Sequence, residues 1–483
     1  MEELLNQMTE LLNDIQDDAA KFEEKVEERR SKRRASDGGK DDASFVSDLV
    51  NNFDDVVDVT IEAEAIGVKS DAMFDSLLED SQNAADVKEV VAVATSIGSK
   101  DKESLESVFN NVSQADSVKE VVQVAADLGA QNKESLGSLF KNADKADDLN
   151  EVMQVAAKAL GTDDGSGNKK LGSEQASVMA STLKNADKAD SMKSVMEDAA
   201  SMGIQDGANL TSVFQNADQA DNLKDVMSVA KESLGTDDGT GVKIFDSRQA
   251  SILASTLQNA DKADSMKSVM DDAAGLDLQG SDNLTNVFKN ADKAGDLKEV
   301  MSVAKASGAV ASLGSVLQNA DKASDMRSLT SKAGGDGDLL NTVFANADKA
   351  TDLAEVVASA EEANDNGATV DVTNLLQNAD KADTLKDLAE VAESAGGDSG
   401  KTDLLSEIFG NADKADDLAK VMAKSGGDIE TQKAILRSAE QADSLAQAVE
   451  EAESDANADP SSGPADFTNF LAVVVQVDKK TQR

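Results

Sequence analysis

Apolar residues recur along this chain at i, i+3, i+4 and i+7, in short bursts separated by one polar phrase. Leu136, Leu139, Phe140 and Ala143 fall at that spacing, and Leu149, Val152, Met153 and Ala156 repeat it beyond Asn142-Ala143-Asp144-Lys145-Ala146-Asp147. Each set lies on one face of a short helix, so the two sets form a helical hairpin with the polar phrase as its joint. Near copies of the joint are marked by Asn83, Asn111, Asn142, Asn185, Asn216, Asn259, Asn290, Asn319, Asn346, Asn378 and Asn411, with Ser438 closing the series. Asn52 marks a degenerate first copy. The step from one marker to the next is about 30 residues, a length suited to a helical repeat. It lengthens from Asn142 to Asn185 and again from Asn216 to Asn259.

Two columns suggest how the hairpin is bounded. Asp86, Asp116, Asp147, Asp190, Asp221, Asp264, Gly295, Ser324, Thr351, Asp383, Asp416 and Asp443 stand where the second helix opens, and each is a residue type suited to an N-cap. Gly98, Gly129, Gly161, Gly203, Gly235, Gly308, Gly334, Gly396 and Gly426 stand where a left-handed glycine would stop it. A hairpin of this length cannot bury its own apolar face, so neighbours must stack. The predicted fold is all-α: residues 45–453 form about a dozen tandem helical hairpins stacked as an α-solenoid. It is similar in kind to the HEAT, armadillo and tetratricopeptide classes and matches none of their motifs.

A longer period lies beneath the first. The apolar residue two before each joint runs Phe140, Leu183, Phe214, Leu257, Phe288, Leu317, Phe344, Leu376, Phe409, Leu436, and residues 142–215 and 216–289 are near duplicates offset by 74. Interdigitation of large and small core residues is the favoured explanation. The other is that successive hairpins face different environments.

The ends differ from the body. In residues 1–34, Leu5, Met8, Leu12, Ile15, Ala19, Phe22 and Val26 alternate in steps of three and four, the seam of an amphipathic or coiled-coil-like helix. This helix either caps the first repeat or pairs with another copy. It ends in Arg29-Arg30-Ser31-Lys32-Arg33-Arg34, and residues 35–44 form a linker. Residues 454–466 form a tether holding Pro460 and Pro464, and residues 467–483 carry a β-branched run with Phe470, Val473 and Val475, which predicts a strand-like tail. The two apolar sets are the candidate assembly residues.

Composition narrows the chemistry. There is no His, Cys, Trp or Tyr, which removes the commonest general base, the thiol nucleophile and the usual zinc ligands; the expectation is that the chain is not an enzyme and carries no cofactor. It is similar in composition alone to bacterial filament proteins such as flagellin. A formal charge of −46 repels phosphate backbones, so nucleic acid is not an expected partner. No apolar run reaches bilayer length and no signal peptide is seen, giving a cytoplasmic location by default, with leaderless surface export as the alternative. The two long copies insert Gly161-Thr162-Asp163-Asp164-Gly165-Ser166-Gly167 and Gly235-Thr236-Asp237-Asp238-Gly239-Thr240-Gly241. Asp163, Asp164, Asp237 and Asp238 are the candidate metal ligands, for calcium, although the spacing of an EF-hand is not reproduced.

These features point to a structural repeat protein that assembles with itself or on a surface or scaffold. The alternatives are an acidic adaptor for a basic protein partner and a calcium-responsive surface protein.

Overall fold

The computed structural model describes residues 42–458 apart from 69, 128–131, 161, 164–168, 171–172, 205–206, 238, 240–242 and 426–428; Glu24, Glu27 and Ser31, all helical, are the described positions before that span. The assembly candidates Leu5, Met8, Leu12, Ile15, Phe22, Val26, Phe470, Val473 and Val475 lie outside the described residues, as do the rest of the N-terminal seam and the tail.

The chain is all-α, built from helical hairpins stacked as an α-solenoid. It divides into two compact units, one comprising Met1–Lys231 and Gly235–Ala263, the other Glu232–Leu234 and Asp264–Arg483. Within each unit the first helices of successive hairpins pack on one another, and so do the second helices. In the first unit Lys102–Asn110 packs on Lys133–Lys141 and Ala115–Asp127 on Ala146–Leu160; in the second, Ala294–Ser307 packs on Ala323–Lys332. The Phe and Leu of the alternating column are equally inaccessible, Phe140, Phe214, Phe344, Leu183, Leu317 and Leu376 each being 0 % exposed. Among the described residues, no helix is long and apolar enough to cross a membrane.

The joint is a helix stop that leads straight into the next helix. Asn142 Nδ2 donates to the Ser138 carbonyl at 2.9 Å, which also accepts the Asn142 backbone N–H at 3.1 Å. The Asn142 carbonyl accepts the Lys145 N–H at 3.0 Å, closing a 3-10 turn over Ala143–Lys145, and the second helix begins at Ala146. The carboxamide thus satisfies one of the carbonyls that a helix end leaves open. Asn216, Asn290, Asn346 and Asn378 repeat the side-chain bond at 2.9 Å. Ala143 and Ala146 are 0 % exposed, and Val112, buried to the same degree, takes the place of Ala143 one copy earlier.

This geometry corrects the capping assignment. With a 3-10 turn feeding the second helix, the cap position falls on Lys188, Lys293, Lys322, Lys349, Lys381 or Lys414, and none of these makes a side-chain cap bond. Asp147, Asp190 and their equivalents lie in the first turn instead. Capping side chains act at first helices: Ser70, Asp101 and Asn132 accept from Met73, Ser104 and Ser135 N–H.

The register of the early copies also shifts. Asp80 has φ −118° and ψ 40°, matching Asn142 at −117° and 41°, and its 3-10 turn is Ser81–Asn83. Asn83 therefore stands in the place of Lys145, not of Asn142. Asn52 likewise immediately precedes a second helix, so that Phe53, Ala84, Ala115 and Ala146 open successive second helices at one constant spacing.

Gly98, Gly203, Gly308 and Gly334 follow or end second helices with φ of +75°, +75°, +79° and +64°, the left-handed stop that glycine permits. Gly235 stops its helix with an extended backbone, and a Cβ there would lie 2.6 Å from the Lys231 carbonyl oxygen and 2.7 Å from Lys243 Cβ. Gly396 stops nothing, because the helix Ala382–Gly410 runs through it; Gly129, Gly161 and Gly426 are outside the described residues. Among the described residues, the stack runs from the helix Asp42–Asn51 to the helix Ala442–Ala458.

Candidate interaction surfaces

The charges of the body are organised by the seams between hairpins. A cation in the first turns of a second helix reaches back to two carboxylates three residues apart on the preceding one. Lys119 Nζ lies 2.8 Å from Asp86 and 2.9 Å from Glu89; Lys193 lies 2.8 Å from Asp148 and 3.0 Å from Glu151; Lys386 lies 2.8 Å from both Asp352 and Glu355. Arg327 takes the same place against Asp296 and Glu299. A spacing of three puts both acids on one helical face. Hydrogen bonds donated to Asp86, Asp148 and Asp352 first, then to the paired glutamates, raise the ammonium pKa of Lys119, Lys193 and Lys386.

Three of the aspartates expected as caps are receivers for the preceding joint. Lys188 pairs with Asp221, Lys349 with Asp383 at 2.7 Å, and Lys145 with Asp190 at 3.6 Å. Lys322, Lys349 and Lys381 also donate to the backbone carbonyls of Asp348, Asp380 and Asp413 in the following joint. Hydroxyls complete the pattern, with Ser191 donating to Asp221 at 2.6 Å and Thr384 to Asp416 at 3.0 Å. Where the receiving position is itself a hydroxyl, the acid moves to the other hairpin: Ser324 donates to Asp296 and Thr351 to Asp325, each at 2.6 Å. The Lys188 bond, then Ser191, holds the Asp221 carboxyl below its usual range.

Further along the second helices the seams alternate. At three seams where a Leu-type hairpin is followed by a Phe-type one, an ion pair closes the seam: Asp198 with Lys231 at 2.5 Å, Asp272 with Lys305, and, with the signs exchanged, Lys332 with Glu361. At two seams of the opposite order, Val155 and Val303 take the place of Asp198, and the seam opens into a groove. One groove, of about 360 Å³, is floored by Val155, Met196, Ile204 and Leu210 and flanked by Glu151 and Lys193. The other, of about 400 Å³, lies between Val303 and Arg327. Successive hairpins thus present different outer faces even though their Phe and Leu are buried alike.

The two inserts are short antiparallel β-hairpins. Thr162 pairs with Lys170 and Asp163 with Lys169; Thr236 pairs with Ile244 and Asp237 with Lys243. Each described aspartate of the candidate metal set therefore stands opposite a lysine, and Asp237 Oδ1 accepts the Gly239 N–H at 2.7 Å. Asp164 and Asp238 lie outside the described residues. Among the described residues, no group of three or more Asp or Glu is placed to hold a metal ion.

Sequence reasoning located the joints and missed the seam pairs, although the constant spacing of the early second helices aligns Lys88 with Lys119 and Asp55 with Asp86. No known protein family, curated protein or solved structure matches this chain.

Proposed function

We propose that this is a non-enzymatic structural repeat protein that assembles with itself or on a scaffold through its ends. The observation that supports this is how the body uses its polar groups. The paired lysines and aspartates join one hairpin to the next, which commits those cations to the stack and makes the body a regular acidic spacer. The candidate connectors are the N-terminal seam, Leu5 to Val26, and the tail bearing Phe470, Val473 and Val475. Sedimentation of the full chain over a range of protein and salt concentrations, with electron microscopy of the same samples, tests the proposal: higher species are expected, and a monomer throughout would sink it.

A second reading is an adaptor for a basic protein partner. It is favoured by a row of exposed carboxylates along the joints, Asp144, Asp187 and Asp218 in the first unit and Asp321, Asp348, Asp380 and Asp413 in the second. Such a row attracts cations over a Debye length. Capture of a basic partner that weakens steeply between 50 and 500 mM salt (roughly a threefold change in Debye length) and is lost when these aspartates are changed to Asn would establish it.

A further inference from the structure

The first hairpin carries a stripe of large apolar residues where the internal hairpins carry polar residues or alanine. In the second helix Phe53–Ala65, Phe53, Val57 and Ile61 follow one another at steps of four. Their equivalents one copy on are Ala84, Lys88 and Ala92, then Ala115, Lys119 and Gln123, then Ala146, Asn150 and Gln154. In the body this stripe faces the preceding hairpin: Lys193 and Glu197 from the same positions line the groove opposite Glu151 and Val155. At the first hairpin Ile61 is 60 % exposed, Phe53 46 % and Val50, on the neighbouring helix, 68 %. Asp54 repeats the position of Asp190 and Asp221, which receive a lysine from the preceding joint, and among the described residues no lysine or arginine pairs with it.

The opposite end of the chain is built differently. In Ala442–Ala458 the positions equivalent to Asp148, Glu151 and Val155 are Ser444, Gln447 and Glu451, all exposed. That is the polar outer face expected of a terminal solenoid repeat. The first hairpin has the opposite character, and what covers it must bring apolar residues and cations together.

We propose that residues 5–34 of the same chain cover this end face, the seam Leu5, Met8, Leu12, Ile15, Phe22 and Val26 lying on Val57 and Ile61 and the Arg29–Arg34 cluster meeting Asp54. Charge complementarity selects this occupant over the same face of a second copy, which would set Asp54 and Glu62 against their own equivalents. Chain length permits it. Residues 35–41 span roughly 23 Å when extended, more than the ~15 Å of a ten-residue helix such as Asp42–Asn51 that must be passed. A covalent tether of this length also supplies an effective concentration in the millimolar range. The inference goes beyond the assembly reading and narrows it, since a segment that covers its own end leaves the C-terminal tail as the free connector.

The chain has no cysteine, so a single introduced thiol reports alone. In the full chain, Ile61→Cys is expected to react with a thiol reagent at least tenfold more slowly than in the same chain also carrying Leu12→Asp and Ile15→Asp. Val310→Cys, placed at an exposed position in the second unit, should react at one rate in both backgrounds, showing that the body is intact. Equal rates for Ile61→Cys in the two backgrounds would overturn the proposal. Protection that grows with protein concentration would overturn it too, by assigning the face to a second copy. Sedimentation tests the assembly reading separately, so the two can fail independently.

Discussion

Lys231 Nζ stands 2.5 Å from Asp198 Oδ1, joining second helices 33 positions apart in the sequence, and of the two equivalent pairs in the second unit one, Lys305 with Asp272, keeps these signs while the other, Lys332 with Glu361, has them exchanged. Exchange of sign at equivalent sites indicates that the seam needs opposite charges more than it needs a particular residue on either side. The Asp198 side chain is 20 % exposed and that of Lys231 37 %, so water and salt screen the pair. In a double-mutant cycle of Asp198→Ala and Lys231→Ala, read by denaturant unfolding, the coupling should be about 0.2–1 kcal/mol. It should fade toward zero at 1 M salt. The exchanged pair Asp198→Lys with Lys231→Asp should recover most of the loss, whereas either exchange alone should be worse than alanine.

The alternation of Phe and Leu makes a sharper test of core packing. Leu317 and Phe344 lie on neighbouring first helices that pack together, both 0 % exposed. Leu317→Phe alone should cost about 1–3 kcal/mol through overpacking, and Phe344→Leu should cost more than a surface change by leaving a cavity. If large and small residues interdigitate, the double swap returns about 0.5 kcal/mol or more of the summed cost. Strict additivity would remove interdigitation as the reason for the alternation. Hydrogen exchange should show the loss confined to the altered hairpins and their neighbours, as a nearest-neighbour stack requires.

What could be read in the sequence follows from the range of each interaction. Leu136, Leu139, Phe140 and Ala143 betray their helix because 3.6-residue periodicity is local, and the same residues prove fully buried. Asp147 was legible as a helix-start residue but not as a first-turn one, since the same side chain favours both places and only the 3-10 turn before it decides. Asn83 misled because an asparagine inside Ser81-Gln82-Asn83 imitates the joint three residues late. The pairs Lys119–Asp86 and Lys193–Asp148 join side chains 33 and 45 positions apart in the sequence, and no local pattern contains them. The insert strands pair over two residues each, too few for any alternation to show.

The joint predicts an unequal response to two small substitutions. Asn142→Ala removes one donor from the Ser138 carbonyl while the backbone N–H still reaches it, so the cost should be about 0.5–1.5 kcal/mol. Asn142→Asp removes the donor and also sets a carboxylate against the negative end of the helix Lys133–Lys141. It should be the more damaging at pH 7 and approach the alanine variant below about pH 3, where the carboxyl is protonated. An aspartate variant as stable as asparagine at pH 7 would mean that the donor does not matter.

The pattern of shifted groups sets the pH range of stability. Asp221 is held down by the Lys188 and Ser191 bonds and Asp101 by the Ser104 N–H, so each contributes stability that is complete above the ordinary carboxylate range and disappears as pH falls through its depressed pKa. Lys119, Lys193 and Lys386 are raised by their paired acids, so their contribution is complete below the ordinary lysine value of about 10.4 and is lost only as pH climbs through the raised one. With no histidine in the chain, few side chains are left to titrate in between. Glu407 is the exception in sign: burial, then Glu440 and Asp403, raise its pKa, so its ionisation above the acid range weakens the fold slightly, and Glu407→Gln should be neutral or mildly stabilising at pH 7. The melting temperature should therefore vary by less than about 2 °C between pH 5.5 and 9 and fall below about pH 4. Asp221→Asn should lower it at pH 7 and converge with the unmodified chain as pH falls through the depressed pKa of that carboxyl. A steep slope through neutrality would show that a group other than these pairs governs stability.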